Sequence, residues 1–270
     1  MSGKLVVCPT PIGNLGDITK RVADALAAAD VVASEDTRRT RILLDHLGIS
    51  TRPIALHDRN ERSAIAGLVT KIIAGGTVAL VSDAGTPVVS DPGFLLIRAC
   101  IESSVQVEVL PGPTAVTTAL VASGLPADSF TFVGFLPRKA GELERLFGGS
   151  ASTLVAFESP NRIAAAMKVL AEFEPDRRVA VCRELTKLHE EVIRGTAAEV
   201  SDELAGRQVK GEITVVVGPP EAEENLGATP EAIGAARDLV AAGAKPRAAA
   251  KVVAKLTGAR ANDLYAALGD

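Results

Sequence analysis

Five short segments hold most of the side chains able to do chemistry. They are Pro9-Thr10-Pro11-Ile12-Gly13-Asn14-Leu15-Gly16-Asp17, Ser34-Glu35-Asp36-Thr37-Arg38-Arg39, His57-Asp58-Arg59-Asn60-Glu61-Arg62, Ser82-Asp83-Ala84-Gly85-Thr86-Pro87-Val88-Val89-Ser90-Asp91-Pro92-Gly93 and Pro111-Gly112-Pro113-Thr114-Ala115. Glycine and proline at this density let a ligand approach the backbone and hold its amides and carbonyls in fixed directions. Gly13 and Gly16 do not fit G-x-G-x-x-G, and G-x-x-x-x-G-K-[ST] occurs nowhere. The fingerprints of dinucleotide and P-loop phosphate binding are therefore missing. What remains is a ligand gripped by main-chain hydrogen bonds. A transition-metal centre is not expected, because His46, His57, His189, Cys8, Cys100 and Cys182 show no paired ligand spacing. The three cysteines stand among apolar neighbours and read as buried, reduced thiols.

Each of these segments follows a short β-branched run. Strands are expected at 4–8, 30–33, 53–56, 77–82 and 106–110, and helices at 18–29, 37–47, 61–74 and 93–103. Short apolar strands alternating with helices predict a parallel sheet covered on both faces. In such a sheet ligands bind beyond the carboxyl ends of the strands, so all five segments converge on one edge. Residues 1–124 are thus expected to form one α/β domain. From residue 125 the pattern changes. Strands are expected at 130–136, 153–157, 178–182, 190–196 and 212–217, with a helix at 161–173, giving a mixed sheet and a second α/β domain over 125–219. Gly218-Pro219-Pro220 with Glu221, Glu223 and Glu224 reads as a solvated linker.

The segment 226–270 differs in composition. Helices are expected at 233–242, 247–256 and 261–268, punctuated by Gly243, Pro246 and Gly258, in the manner of a small helix-turn-helix-like bundle. Arg237, Lys245, Arg247, Lys251, Lys255 and Arg260 stand there against Glu231, Asp238, Asp263 and Asp270, a local charge of +2 in a chain of net −4. Five basic side chains and no acidic one fall within 245–260. That asymmetry points to an appended module with an anionic partner, or to a helical cap on the main body. The overall mix, 47% apolar and 23% charged over 270 residues, excludes disorder and a disulfide scaffold. No apolar run approaches the roughly 20 residues of a membrane span, and the proline-bearing N-terminus is unlike a secretory signal. The expected location is the cytoplasm.

The stretch Ser82 to Pro87 with Ser90-Asp91-Pro92-Gly93 resembles the signature of the ribosomal RNA small-subunit methyltransferase I family. In order along the chain, so do Gly13 to Thr19, Glu35-Asp36-Thr37-Arg38, Gly134-Phe135-Leu136-Pro137, Phe157-Glu158-Ser159-Pro160, Arg183 to Lys187 and Lys210-Gly211-Glu212. The resemblance implies a tetrapyrrole-methylase fold, in which S-adenosylmethionine binds in a cleft between two α/β domains. It implies 2′-O-methylation of a cytidine in the decoding region of 16S ribosomal RNA, and a homodimer. By that resemblance the cofactor would meet Pro11, Ile12, Ala84, Gly85, Thr86, Val89, Thr114 and Ala115, and from the second half Glu158, Leu185 and Glu212. One departure stands out: relatives acting on tetrapyrroles carry Gly-Asp-Pro where this chain has Gly85-Thr86-Pro87.

A ribose hydroxyl becomes a nucleophile once its proton is accepted, so a carboxylate, imidazole or amine within reach would help. Asp36, His57, Glu158, Glu184 and Lys187 are the candidates, with Asp36 or Glu158 as proton acceptor and Lys187 as electrostatic partner. Aromatics are only 3% with no tryptophan, so RNA contact is expected from charge more than from stacking. Arg38, Arg39, Arg41, Arg59 and Arg62 at the cleft mouth would pair with phosphates. Lys245, Arg247, Lys251, Lys255 and Arg260 would form an outlying contact. Two other readings stay open at this point. One is a methyltransferase of the same fold acting on a tetrapyrrole; the other is a non-enzymatic RNA- or ribosome-binding protein.

Overall fold

The computed structural model describes residues 3–56, 61–220 and 228–268, with the side chains of residues 61–63 outside the described set. His57, Arg59, the side chain of Arg62 and the linker glutamates Glu221, Glu223 and Glu224 therefore lie outside the described residues. The chain divides into two compact units, Met1–Gly218 and Pro219–Asp270.

The first unit carries two sheets. One comprises β1 (Lys4–Val7), β2 (Val31–Ser34), β3 (Pro53–Ala55), β4 (Thr77–Val81) and β5 (Gln106–Val109), in the order β3-β2-β4-β1-β5 with every pairing parallel. Alternate residues of the central strands enter opposite cores. Leu5, Val7, Val78 and Leu80 join Leu56, Ile72 and Leu96 on one face. Val6, Cys8, Ala79 and Val81 join Val22, Leu26 and Leu44 on the other. Helices α1 (Lys20–Ala28), α2 (Thr37–His46), α3 (Glu61–Ile73) and α4 (Phe94–Glu102) connect the strands. Each fully buried Leu, Ile or Val contributes about 1.5–3 kcal/mol, so burial on both faces holds the sheet. Because β1 lies between β4 and β5, the segments that follow these three strands are neighbours at the carboxyl edge.

The second sheet runs β6-β7-β10-β8-β9, from β6 (Phe130–Phe135), β7 (Thr153–Glu158), β8 (Arg178–Arg183), β9 (Glu191–Thr196) and β10 (Ile213–Val217). β6 and β7 are parallel; the other pairings are antiparallel, so the sheet is mixed as expected. Ile213, the first residue of β10, pairs with both Glu158 and Arg183, the last residues of β7 and β8. Antiparallel pairing thus brings Glu158, Glu184-Leu185 and Glu212 to one edge.

Three helices of this unit have no counterpart in the sequence-based expectation: α5 (Ala115–Ser123), α6 (Ala140–Gly148) and α8 (Ala197–Leu204), alongside the expected α7 (Ile163–Phe173). Glycines near both ends of α6 dilute its helical signal. α8 did carry a readable one. Thr196 and Glu199 form a reciprocal capping box, the Thr-x-x-Glu pattern that marks a helix start. The expected boundary after residue 124 does not separate compact units. Val116, Ala119 and Leu120 of α5 pack on Val155, Ala180 and Val216 of the second sheet, so a cut there would open a core.

The second unit contains the three expected helices, α9 (Pro230–Ala241), α10 (Pro246–Thr257) and α11 (Ala261–Ala267). Thr229 caps α9 through Ala232 N, Pro246 occupies the first turn of α10, and Gly258 ends it in the left-handed conformation. Its small core consists of Ala232, Ala236, Ala250, Val253, Ala259 and Leu264. Among the described residues no helix is long and apolar enough to cross a membrane.

Candidate active site

A cavity of about 360 Å³ opens between the two convergent edges of the first unit. From the parallel sheet it is lined by Ile12, Ala84, Gly85, Thr86, Val89, Ser90, Asp91, Thr114 and Ala115. From the mixed sheet come Phe135, Phe157, Glu158, Ser159, Pro160, Cys182, Leu185, Gly211, Glu212 and Ile213. Ten of the eleven residues expected to meet a cofactor line it. Pro11 does not. It lines a separate pocket of about 120 Å³ with Thr10, Leu15, Arg39, Thr40 and Asp83. The two spaces flank a short bridge in which the amides of Thr10 and Gly85 each donate to the other's carbonyl, at 2.8 and 3.0 Å.

The wall is built with local backbone strain. Val88 and Ser90 have φ of 77° and 64°, and Glu184 and Thr186 have φ of 52° and 67°. Each pair flanks one apolar liner, Val89 in one half and Leu185 in the other. A non-glycine residue in the left-handed region costs on the order of 1–3 kcal/mol, and such strain collects at functional sites. Gly85 also lies at positive φ, 79°, and a Cβ there would sit 3.4 Å from Ile12 Cγ2. Thr86 donates its hydroxyl to Pro113 O at 3.3 Å, tying the segment after β4 to that after β5. Gly13 is needed for close approach: a Cβ would stand 2.4 Å from Lys187 Cγ.

The expected catalytic groups divide sharply. Asp36 lies outside the cavity lining and is the N-cap of α2, accepting from Arg38 N at 2.8 Å and pairing with the Arg38 guanidinium. Those side-chain and backbone hydrogen bonds hold its carboxyl down at about 2, which makes it a poor proton acceptor near neutrality. Glu158 lines the cavity but is locked. Its side chain is 1% exposed, accepts from Ser159 N and pairs with Arg162. Arg162 also donates to Leu136 O and Pro137 O, so this one guanidinium ties the ends of β6 and β7 together. Lys187 lies behind the wall, its ammonium between Glu184 at 2.7 Å and Glu212 at 2.9 Å. Burial opposes the charge on Lys187, but bonds to the two carboxylates outweigh it and raise the pKa. The bond from Lys187 lowers that of Glu184. Lys187 therefore fixes Glu212 in the cavity wall and does not itself reach the space.

Sequence reasoning passed over nine liners, and three of them bear on the chemistry. Phe157 packs edge-to-face against Phe132 and Phe135, with centroids 5.0 and 5.7 Å apart, and Phe135 is 61% exposed. The low aromatic content obscured this, since composition says nothing of where a few rings gather. The third is Asp91. Burial first, then the Glu35 and Asp83 charges, push its carboxyl up to about 6 against the opposing hydrogen bond from Ser82. Its Ser90-Asp91-Pro92-Gly93 turn was read as part of the family motif, and nothing in it marked the carboxylate out.

The expected RNA contacts also sort themselves. Arg38 is exposed but paired with Asp36, and Arg39 reaches Asp83 at 3.6 Å. Arg41 is committed to Asp45, Ile49 O and Thr51 O, closing the turn after α2, and is not free for phosphate. In the second unit Lys245, Arg247, Lys251, Lys255 and Arg260 are all exposed, and none is ion-paired among the described residues. Arg247 lies over the Tyr265 ring at 5.4 Å. Cys8, Cys100 and Cys182 are buried free thiols. Among the described residues no group of three metal-ligating side chains occurs.

Residues 4–201 match the family model of Tetrapyrrole (Corrin/Porphyrin) Methylases. Over 99% of this chain and 95% of the relative, the sequence is 46% identical to the ribosomal RNA small subunit methyltransferase I of Mycobacterium tuberculosis. The chain belongs to the ribosomal RNA small subunit methyltransferase I family. A member of this family from Hydrogenobaculum sp. is 48% identical over 79% of this chain and 95% of its own length. The fold of the family is shared with uroporphyrin-III C-methyl transferase of Thermus thermophilus, whose crystal structure is a complex with S-adenyl homocysteine. That structure has a TM-score of 0.57 and 21% identity, covering 80% of this chain and 97% of the other. As a methyltransferase of this family, the protein has its candidate active site in the space between the two sheets of the methylase fold.

Proposed function

We propose that the protein transfers a methyl group from S-adenosylmethionine to the 2′-hydroxyl of a cytidine ribose in the decoding region of 16S ribosomal RNA. The observation that carries this reading is the cavity. Ten of the residues anticipated for the methyl donor line one space of about 360 Å³, within the range of small-molecule sites. The lining suits the donor. Ile12, Val89 and Leu185 offer apolar surface to an adenosyl group, and Ala84, Gly85 and Thr86 line the space beside them. Thr114 makes no side-chain cap at the start of α5, so first-turn amides remain at the wall for a carboxylate. When bound, S-adenosylmethionine supplies a methyl already activated on a sulfonium. The protein's own task is to orient the ribose hydroxyl in line with it, exclude water and accept a proton.

Methyl transfer from labelled S-adenosylmethionine to small ribosomal subunits from cells lacking this protein tests the reading, with the modified nucleotide mapped by mass spectrometry. A methyl on a cytidine ribose is the expected product. Transfer to a base, or to a tetrapyrrole alone, would overturn it.

The exposed cations of the second unit, none of them ion-paired among the described residues, form the second RNA contact in this reading. Removing residues 219–270 should leave donor binding intact. RNA binding should weaken, and the dependence of log K on log salt should become shallower, as fewer phosphates are neutralised. Equal affinity and slope in both forms would make the helical unit a cap. The cytoplasmic location and the homodimer belong to the same proposal and rest on the family resemblance.

A further inference from the structure

The cavity contains three carboxylates, and they are not equivalent. Glu158 is held by Arg162, and Glu212 by Lys187. Asp91 has no cation bonded to it among the described residues, and it stands in the wall at the end of the strained Val88-Val89-Ser90 turn. Its neighbours are Glu35 from the segment after β2 and Asp83 from the start of its own segment, with Ser82 as hydrogen-bond partner. Asp83 is itself engaged by Arg39 and by the amide of Asp36. A carboxylate in a cavity wall beside a strained turn, with like charges near it that make it readier to hold a proton, has the pattern of a general base.

We propose that Asp91 is the catalytic residue that accepts the proton of the ribose 2′-hydroxyl. This deepens the methyl-transfer reading and rests on it. In the balanced step the 2′-oxygen forms a bond to the methyl carbon with a lone pair, and the carbon–sulfur bond breaks with its electrons left on sulfur. The hydroxyl proton moves to a carboxylate oxygen of Asp91, so one positive and one negative charge disappear together. A base whose conjugate acid titrates just below working pH is suited to that exchange.

Asp91→Asn and Asp91→Glu test this in the full chain. Three readouts are taken: calorimetric binding of S-adenosylmethionine, binding to small ribosomal subunits, and single-turnover methyl transfer across pH 5–9. The wild-type rate should fall as pH drops through about 6, where the carboxylate is protonated. Asp91→Asn should keep both affinities, lose about 10²–10⁴-fold in rate and lose that acidic limb. Asp91→Glu should restore part of the rate and the limb. Donor affinity falling in step with rate would make Asp91 a donor-holding group and overturn the proposal, as would full activity of Asp91→Asn. Wild-type enzyme that methylates no ribose would instead overturn the reading beneath it.

Discussion

Gly85→Val should abolish binding of S-adenosylmethionine while the protein still folds. Gly85 has φ of +79° and lies in the backbone bridge with Thr10 that forms one wall of the cavity. A Cβ there would already touch Ile12 Cγ2 at 3.4 Å, with Pro113 O at 3.8 Å and Thr114 Cα at 4.0 Å. The two further methyl groups of valine must crowd that wall or push its strands apart. Ile12 and Thr114 line the cavity, so either response deforms it. The left-handed conformation adds strain of about 1–3 kcal/mol, and a β-branched residue tolerates it least. Melting temperature should fall by several degrees, at about 2–4 °C per kcal/mol for a unit of this size. Donor affinity should fall at least about 100-fold, equivalent to about 2.7 kcal/mol. Gly85→Ala, which adds the Cβ alone, should show an intermediate loss. Calorimetric titration decides; an unchanged dissociation constant for Gly85→Val would remove this cavity from donor binding.

The second large effect concerns stability. Arg162→Met should leave the Glu158 carboxylate, 1% exposed, with the Ser159 amide as its remaining partner among the described residues. Removing one member of a buried pair costs about 3–5 kcal/mol, since the orphaned charge stays in a poorly solvated place. A third of Arg162 is open to water, so the lower end applies. The carbonyls of Leu136 and Pro137 lose their donor as well, and with it the tie between the ends of β6 and β7. The expected drop in melting temperature is about 6–12 °C. Adding Glu158→Gln in the Arg162→Met background should recover part of it, and the double-mutant cycle measures the coupling. A single-variant loss within about 0.5 kcal/mol would mean that the pair is dispensable.

The first effect depends on contacts between segments far apart in the chain, as the second does through Leu136 and Pro137, and this is where sequence reading reaches its limit. Local regularities were plain. The Val-rich runs of β1 and β4, the alternation with helices and the glycine–proline punctuation predict a parallel sheet with its loops at one edge. The helices of the second unit announce themselves through Gly243, Pro246 and Gly258. Even the lining of the cavity was legible in part, since ten of the eleven residues that the family motifs singled out border one space. Chemistry at single side chains was less legible. Asp36 and Asp91 are both acidic residues in post-strand turns, and nothing local tells them apart.

Tertiary structure separates them. Asp36 finds two amides and a guanidinium at the start of α2, whereas Asp91 is buried against Glu35 and Asp83 beside the cavity. Lys187 behaves similarly: its type suggested an electrostatic partner, yet the antiparallel pairing of β8 and β10 places two carboxylates on it and turns it away from the cavity. Strand propensity, caps and turns depend on neighbours within a few residues, so the sequence by itself determined the strands, most of the helices and the family motifs. The ionisation and partners of a side chain depend on every charge and dipole within several ångströms, most of them contributed by distant segments. Only the folded chain could decide which carboxylate is free to take a proton.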